Sequence, residues 1–143
     1  MSAQPQFWVF LADPTAYGWP ELVRDGATVW DGIKNSRAQA NLKRCAPGDP
    51  VLIYHTAPDK AIVGVARVKS AARPDPAHEE LVVVGVQPVT ALGQPLTLAE
   101  LKADAVLSGM GFVRMPRVAV WPVTPEQWDR VLELSRTPAN KIN

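Results

Sequence analysis

Apolar and aromatic residues run together at Phe7-Trp8-Val9-Phe10-Leu11 and stop at Asp13-Pro14, which predicts a short buried strand. Pro20 to Arg24, closed by Asp25-Gly26, predicts one helical turn ended by glycine. Ser36-Arg37-Ala38-Gln39 has the capping-box pattern, so a helix is expected from Arg37 to about Cys45 with Ser36 as its cap. Pro47-Gly48-Asp49-Pro50 forces a turn, and Val51 to His55 returns as a strand. Ala61 to Lys69 is β-like and interrupted by Gly64, a residue that in a strand marks a bulge or a close approach to the backbone.

Leu81 to Val86 predicts a further strand, and Thr97 caps a helix reaching about Leu107. Gly109-Met110-Gly111 reads as loop, and Val118 to Trp121 as a short strand. Thr124 caps a last helix that carries Trp128, Val131 and Leu132 at helical spacing, after which the polar tail beyond Arg136 is expected to fray. Strands interleaved with short helices predict an α+β fold built on a partly closed, barrel-like mixed sheet with short flanking helices. The expectation is one domain over residues 1–143, with an ordered core from about 6 to 135.

Composition narrows the functional classes. The chain of 143 residues is 47% hydrophobic and 20% charged, a globular balance without a bilayer-spanning run, so no membrane partner is expected. Met1 to Gln6 lacks the basic and apolar regions of a secretory signal, which points to the cytoplasm. One cysteine, Cys45, and two histidines exclude a cysteine-based metal cluster, and no metal or cofactor site is expected. There is no GxSxG, no P-loop and no dinucleotide-binding glycine pattern. Net charge is only +1, but between Lys34 and Arg73 eight basic residues face two acidic ones, while the remainder holds seven and twelve. That segregation fits either a basic face or a solvated surface of locally mixed charge.

The densest chemistry lies in Trp30-Asp31-Gly32-Ile33-Lys34-Asn35-Ser36-Arg37, where a strand end meets a capped helix. A tryptophan face stacks on a base, Asn35 offers donors and an acceptor to a base edge, and Lys34 and Arg37 beside a helix start suit a phosphate. The same residues could instead serve as core, turn and solvated surface. Tyr54-His55 stands where a strand leaves the sheet; alternation sends the two side chains to opposite faces unless a bulge intervenes. Trp19, between Gly18 and Pro20, is a candidate for a pocket rim, and Arg73, before Pro74-Asp75-Pro76, for a phosphate contact.

Phe7 to Phe10, Thr28 to Ala38, Gly48-Asp49, Val51 to Thr56, Ile62 to Ala66, Pro74-Asp75 and Arg117 to Thr124 with Trp128 together resemble the EVE domain in order and spacing across nearly the whole chain. The resemblance implies a PUA-like fold related to YTH domains and binding of a modified base, a modified cytosine in DNA or a modified base in RNA. It assigns the base to Trp30, Asn35, Tyr54 and His55; Trp19 and Asp31 complete the base-binding candidates, and Lys34, Arg37 and Arg73 the phosphate-binding ones. In much of the family the first strand ends in Lys-Ser/Thr-Glu, where this chain has Leu11-Ala12-Asp13, so two polar contacts are replaced while the stacking surface is kept. Lys34 stands where arginine is common, which keeps the charge without the bidentate geometry. The leading expectation is a reader without catalytic residues. The alternatives are a small enzyme acting on a nucleoside, with His55 or Asp31 as general base, and an interaction module of a larger assembly.

Overall fold

The computed structural model describes residues 6–142, so the segment read above for a secretory signal lies almost entirely outside the described residues. Six strands form one mixed sheet in the order β2-β5-β4-β3-β1-β6. They are β1 (Phe7–Ala12), β2 (Thr28–Trp30), β3 (Pro50–His55), β4 (Ala61–Asp75), β5 (His78–Thr97) and β6 (Val120–Val123). The helices are α1 (Trp19–Asp25), α2 (Ser36–Arg44), α3 (Leu98–Ala103), α4 (Gly111–Arg114) and α5 (Pro125–Leu134). At the centre β1 and β3 run parallel, Trp8 opposite Val51 and Ala12 opposite His55. Every residue of β3 is buried, as the unbroken apolar run Val51 to Tyr54 requires of a strand covered on both faces.

The sheet is not closed by hydrogen bonds; a helix instead joins β6 to the stretch of β5 that runs beyond its pairing with the edge strand β2. From α2, the Asn41 amide donates to the β6 carbonyl of Val120 at 2.7 Å. Gln39 imitates a strand residue: it accepts from the β5 N–H of Val82 at 2.8 Å and donates to the Val82 carbonyl at 3.2 Å. Its Nε2 also donates to the carbonyl of Ile33 at 2.7 Å. Both side chains are buried, and among the described residues no buried side-chain nitrogen or oxygen is left without a partner, so helix α2 spans the seam without an orphaned amide.

A second buried polar group fixes the approach to this seam. The Asp49 carboxylate accepts from the Trp8 indole N–H and the Ala46 N–H, both at 3.0 Å, and from the Gln6 N–H at 3.2 Å. It thereby ties β1 to the turn that delivers β3.

Several boundaries differ from the sequence expectation, each for a local reason. The cap of α2 is Asn35, whose Oδ1 accepts from the Ala38 N–H at 2.9 Å; Ser36 is the first helical residue, and Gln39 is spent on the seam. β5 continues well past Val86 through Pro88 and Pro95, because beyond Val86, paired with Thr28, β4 is its one paired strand among the described residues and a missing N–H on the other side costs no ladder bond. β6 is Val120–Val123 rather than Val118 to Trp121, and as an edge strand it tolerates Pro122. α3 stops at Ala103 because Asp104 turns to cap the next turn, accepting from the N–H groups of Val106 and Leu107 at 3.0 Å. Gly111 opens a short helix, α4, instead of belonging to a loop.

The tail does not fray. Thr137 Oγ1 accepts from the Gly93 N–H at 2.9 Å, the Ser135 carbonyl from the Gln94 N–H at 2.8 Å, and the Ile142 carbonyl from Arg67, with the Ile142 side chain buried. A Cβ on Gly93 would stand 2.4 Å from the Arg136 carbonyl, so the fit needs glycine there.

Replacing Gln39 by leucine leaves the Val82 N–H and two carbonyls without their partner. It is expected to cost about 3 kcal/mol, measured by urea denaturation, with Asn41→Leu somewhat milder. The Asp104 carboxyl is held below its ordinary 3.8, first by the Arg130 guanidinium. A lowered folded-state pKa contributes stability above that ordinary value that is lost as pH falls through the lowered one. Asp104→Asn should therefore lower the urea midpoint at pH 7, and the difference from wild type should shrink as the pH is taken into the acid range.

Candidate functional site

At the seam between the sheet edges lies a cavity of about 620 Å3. Both edges line it, β2 through Thr28, Val29 and Trp30, and the lead into β6 through Arg117 and Ala119. The end of β1 gives Leu11, Ala12 and Asp13, the following turn Ala16 and Tyr17, and the connection to α2 Asp31 to Asn35. The cavity exists because the sheet curls until its edges face one another without bonding.

Local chemistry fixes each wall. β1 is anchored beside the cavity by the Leu11 N–H donating to the Ala119 carbonyl at 2.8 Å. The turn after it is wound on Asp13, whose Oδ1 accepts from the Thr15 hydroxyl at 2.6 Å and the Thr15 N–H at 2.9 Å. Those bonds hold the Asp13 carboxyl below its ordinary range, so it is ionised at the cavity lip. Tyr17 donates to Asp25 Oδ2 at 2.8 Å, which fixes its ring against the cavity, and partial burial raises its phenol. The connection to α2 turns at Gly32, with φ of +77°, a left-handed value suited to glycine, and is pinned by Gln39 on the Ile33 carbonyl.

Trp30 is core and wall together: its ring lies 5.6 Å from that of Phe10 at 45°, and only 8% of the residue remains exposed. Asn35 lines the cavity and spends Oδ1 on the helix cap, which leaves two donors on its NH2 group. Asp31 and Lys34 stand on the same rim, both exposed. Leu11 and Ala12, at the positions where the family resemblance led to polar residues, give the cavity an apolar floor.

The other expected site residues lie elsewhere. Tyr54 is buried with its ring 4.7 Å from that of Phe112. His55 is buried, its Nε2 accepting from the Trp19 N–H at 2.9 Å and its Nδ1 2.9 Å from Asp59 Oδ2. An acceptor Nε2 places the proton on Nδ1, from which it is donated to Asp59. The pairing of His55 with a carboxylate is thus present, but it docks helix α1, and His55 is not among the residues that line the cavity. Trp19 packs on Gly64, where a Cβ would come within 2.6 Å of the indole, so the strand glycine serves this contact and Trp19 is not a rim residue. Arg37 stacks 4.5 Å over the Trp121 ring, one step outside the cavity. Arg73 donates to Ser70 Oγ at 3.0 Å on the β4–β5 hairpin, away from it.

Tyr17 and Arg117 were missed. Tyr17 sits in a turn with no periodic signal, and Arg117 reaches the cavity only because β6 pairs with β1. Among the described residues no group of three or more metal-ligating side chains is found.

An open mixed sheet whose edges are bridged by a helix and enclose a cavity is the PUA-like architecture. The chain belongs to the EVE domain family, whose model matches residues 6–134. An NMR structure of a Rhodopseudomonas palustris protein is similar at 30% identity with a TM-score of 0.88, over 92% of this chain and 93% of that one. A Schizosaccharomyces pombe protein is 29% identical over 82% of this chain and 58% of its own length. Human thymocyte nuclear protein 1 is 27% identical over 75% of this chain and 59% of its own length. The chain therefore spans less than two thirds of these curated relatives. The human protein has been solved in complex with DNA containing 5-methylcytosine; that structure has a TM-score of 0.82 over 93% of this chain and 99% of the solved one, at 21% identity.

His55→Ala leaves the partly buried Trp19 N–H without an acceptor and opens a void behind α1. The expected cost is about 2 kcal/mol in urea denaturation, and Gly64→Ala, which forces the Trp19 indole out, should destabilise to a similar degree.

Proposed function

We propose that this chain is a non-catalytic nucleic-acid reader that receives a modified base in the seam cavity, between Trp30 and Tyr17, and holds the adjoining backbone with Lys34 and Arg117. The observation that carries this reading is the placement of two aromatic walls and two lip cations around one cavity of about 620 Å3, within the range of small-molecule sites. Stacking on an aromatic side chain is worth roughly 1 to 3 kcal/mol per base. The NH2 group of Asn35 and the ionised Asp13 supply a donor and an acceptor for the base edge.

Charge supports a polyanionic partner. Residues 32–48 and 105–125 contain no Asp or Glu, and they carry Lys34, Arg37, Lys43, Arg44, Arg114 and Arg117. The two segments are joined through Asn41 and Val120, and each brings one cation to the cavity, Lys34 and Arg117. The complex of thymocyte nuclear protein 1 with 5-methylcytosine DNA favours DNA carrying a modified cytosine as the ligand class. Against a nucleoside-directed enzyme, His55 has both ring nitrogens engaged away from the cavity.

Fluorescence anisotropy with oligonucleotides carrying cytosine or 5-methylcytosine tests the proposal. Wild type should bind, with the modified base preferred, and Tyr17→Ala should weaken binding about tenfold through lost stacking. Lys34→Ala and Arg117→Ala should each lower the slope of log affinity against log salt by about one. Equal, negligible affinity for every oligonucleotide would overturn the reading.

A further inference from the structure

We propose that Met115 is a wedge that enters the base stack of a duplex beside the nucleotide drawn into the cavity, which makes double-stranded nucleic acid the partner of this face. The inference rests on the reader proposal above and adds the form of the partner. Extruding a base leaves a gap in the stack, and proteins that unstack or bend duplexes fill such gaps with apolar side chains, methionine and proline among them.

Single exposed apolar residues are ordinary on protein surfaces, so exposure alone says little. Among the described residues three large hydrophobics are notably exposed: Val23 on α1, Val29 on the cavity wall, and Met115, at 47%. What sets Met115 apart is its mounting and its neighbours. Its N–H donates to the Gly111 carbonyl at 2.9 Å, and its own carbonyl accepts from the Val118 N–H at 3.2 Å and the Trp121 indole at 3.3 Å. Its sulfur lies 3.7 Å from Arg37 Nη1, and that guanidinium is itself stacked on Trp121. The backbone is thus held on both sides, while the thioether is adaptable and polarisable, a good match to the faces of bases. Pro116 follows and stiffens the projection.

The flanks are cationic. Arg114 and Arg117 bracket the Met115-Pro116 tip, both exposed, and Arg37 lies behind it. Arg117 also lines the cavity, so tip and cavity are two residues apart. An apolar tip flanked by guanidinium groups matches a base stack bordered by phosphates, the thioether meeting base faces and the arginines phosphate oxygens.

The test uses a duplex with a central 5-methylcytosine and a neighbouring 2-aminopurine, together with the modified strand alone. Wild type should bind the duplex and raise 2-aminopurine fluorescence as the neighbour loses its stacking partner. Met115→Ala should lose about tenfold in duplex affinity and most of the fluorescence rise, yet bind the single strand within twofold of wild type. Met115→Leu should restore duplex binding. Equal duplex binding by Met115→Ala and wild type overturns the wedge. So does wild-type binding to the single strand without the duplex, in which case the reader proposal stands. Binding to neither form overturns both.

Discussion

The bond between the two sheet edges that the strands do not make, and that α2 makes for them, is the constraint on which this molecule depends. Gln39 occupies a strand position beside Val82 and Asn41 closes on Val120, so two buried amides replace a row of ladder bonds. The replacement has a geometric consequence. A closed ladder would bring β2 and β6 to strand spacing, about 4.8 Å, and no base-sized space would remain between them. A helix of larger diameter holds the edges apart, and the cavity is the space it keeps open at its amino-terminal end. Because Gln39 also holds the Ile33 carbonyl, the group that closes the seam is the group that positions the loop carrying Asp31, Lys34 and Asn35.

The residues around the cavity divide by task. Trp30 packs on Phe10, so under the proposed function the stacking ring would already be ordered and would lose little on binding. Tyr17 is fixed through Asp25 from the opposite side. Under the proposed function, the apolar floor at Leu11 and Ala12 would contribute contact without hydrogen bonds and leave the base edge to Asn35 and Asp13. The Tyr54-His55 pair serves the frame: Tyr54 packs into the core, and His55 with Asp59 docks the helix whose Trp19 covers Gly64. A histidine paired with a carboxylate resembles a catalytic dyad in sequence and in distance, but its free nitrogen is committed to a backbone N–H.

Much of the frame was legible from the chain. The buried strands Phe7 to Leu11 and Val51 to His55 announced themselves as unbroken apolar runs, and Thr97 and Thr124 act as the helix caps their spacing implied. The errors share a cause. Ser36 and Asn35 are both good caps, and which one serves depends on where the loop is pinned by Gln39. Pro88 reads as the end of a strand until the missing neighbour on that side is known. The tail looks polar because its anchors are backbone groups paired with β4 and β5, which hydropathy does not register.

By itself the sequence determined most of the strands and helices, though not α4, together with the family and the block from Trp30 to Asn35 that meets the cavity, because periodicity, capping and motif spacing are local properties. Tertiary structure alone decided which of the candidates share a surface. Arg117 and Tyr17 joined Trp30, while Tyr54, His55, Trp19 and Arg73 were drawn off, since strand order and the bridging of the seam depend on pairings between residues far apart in the chain.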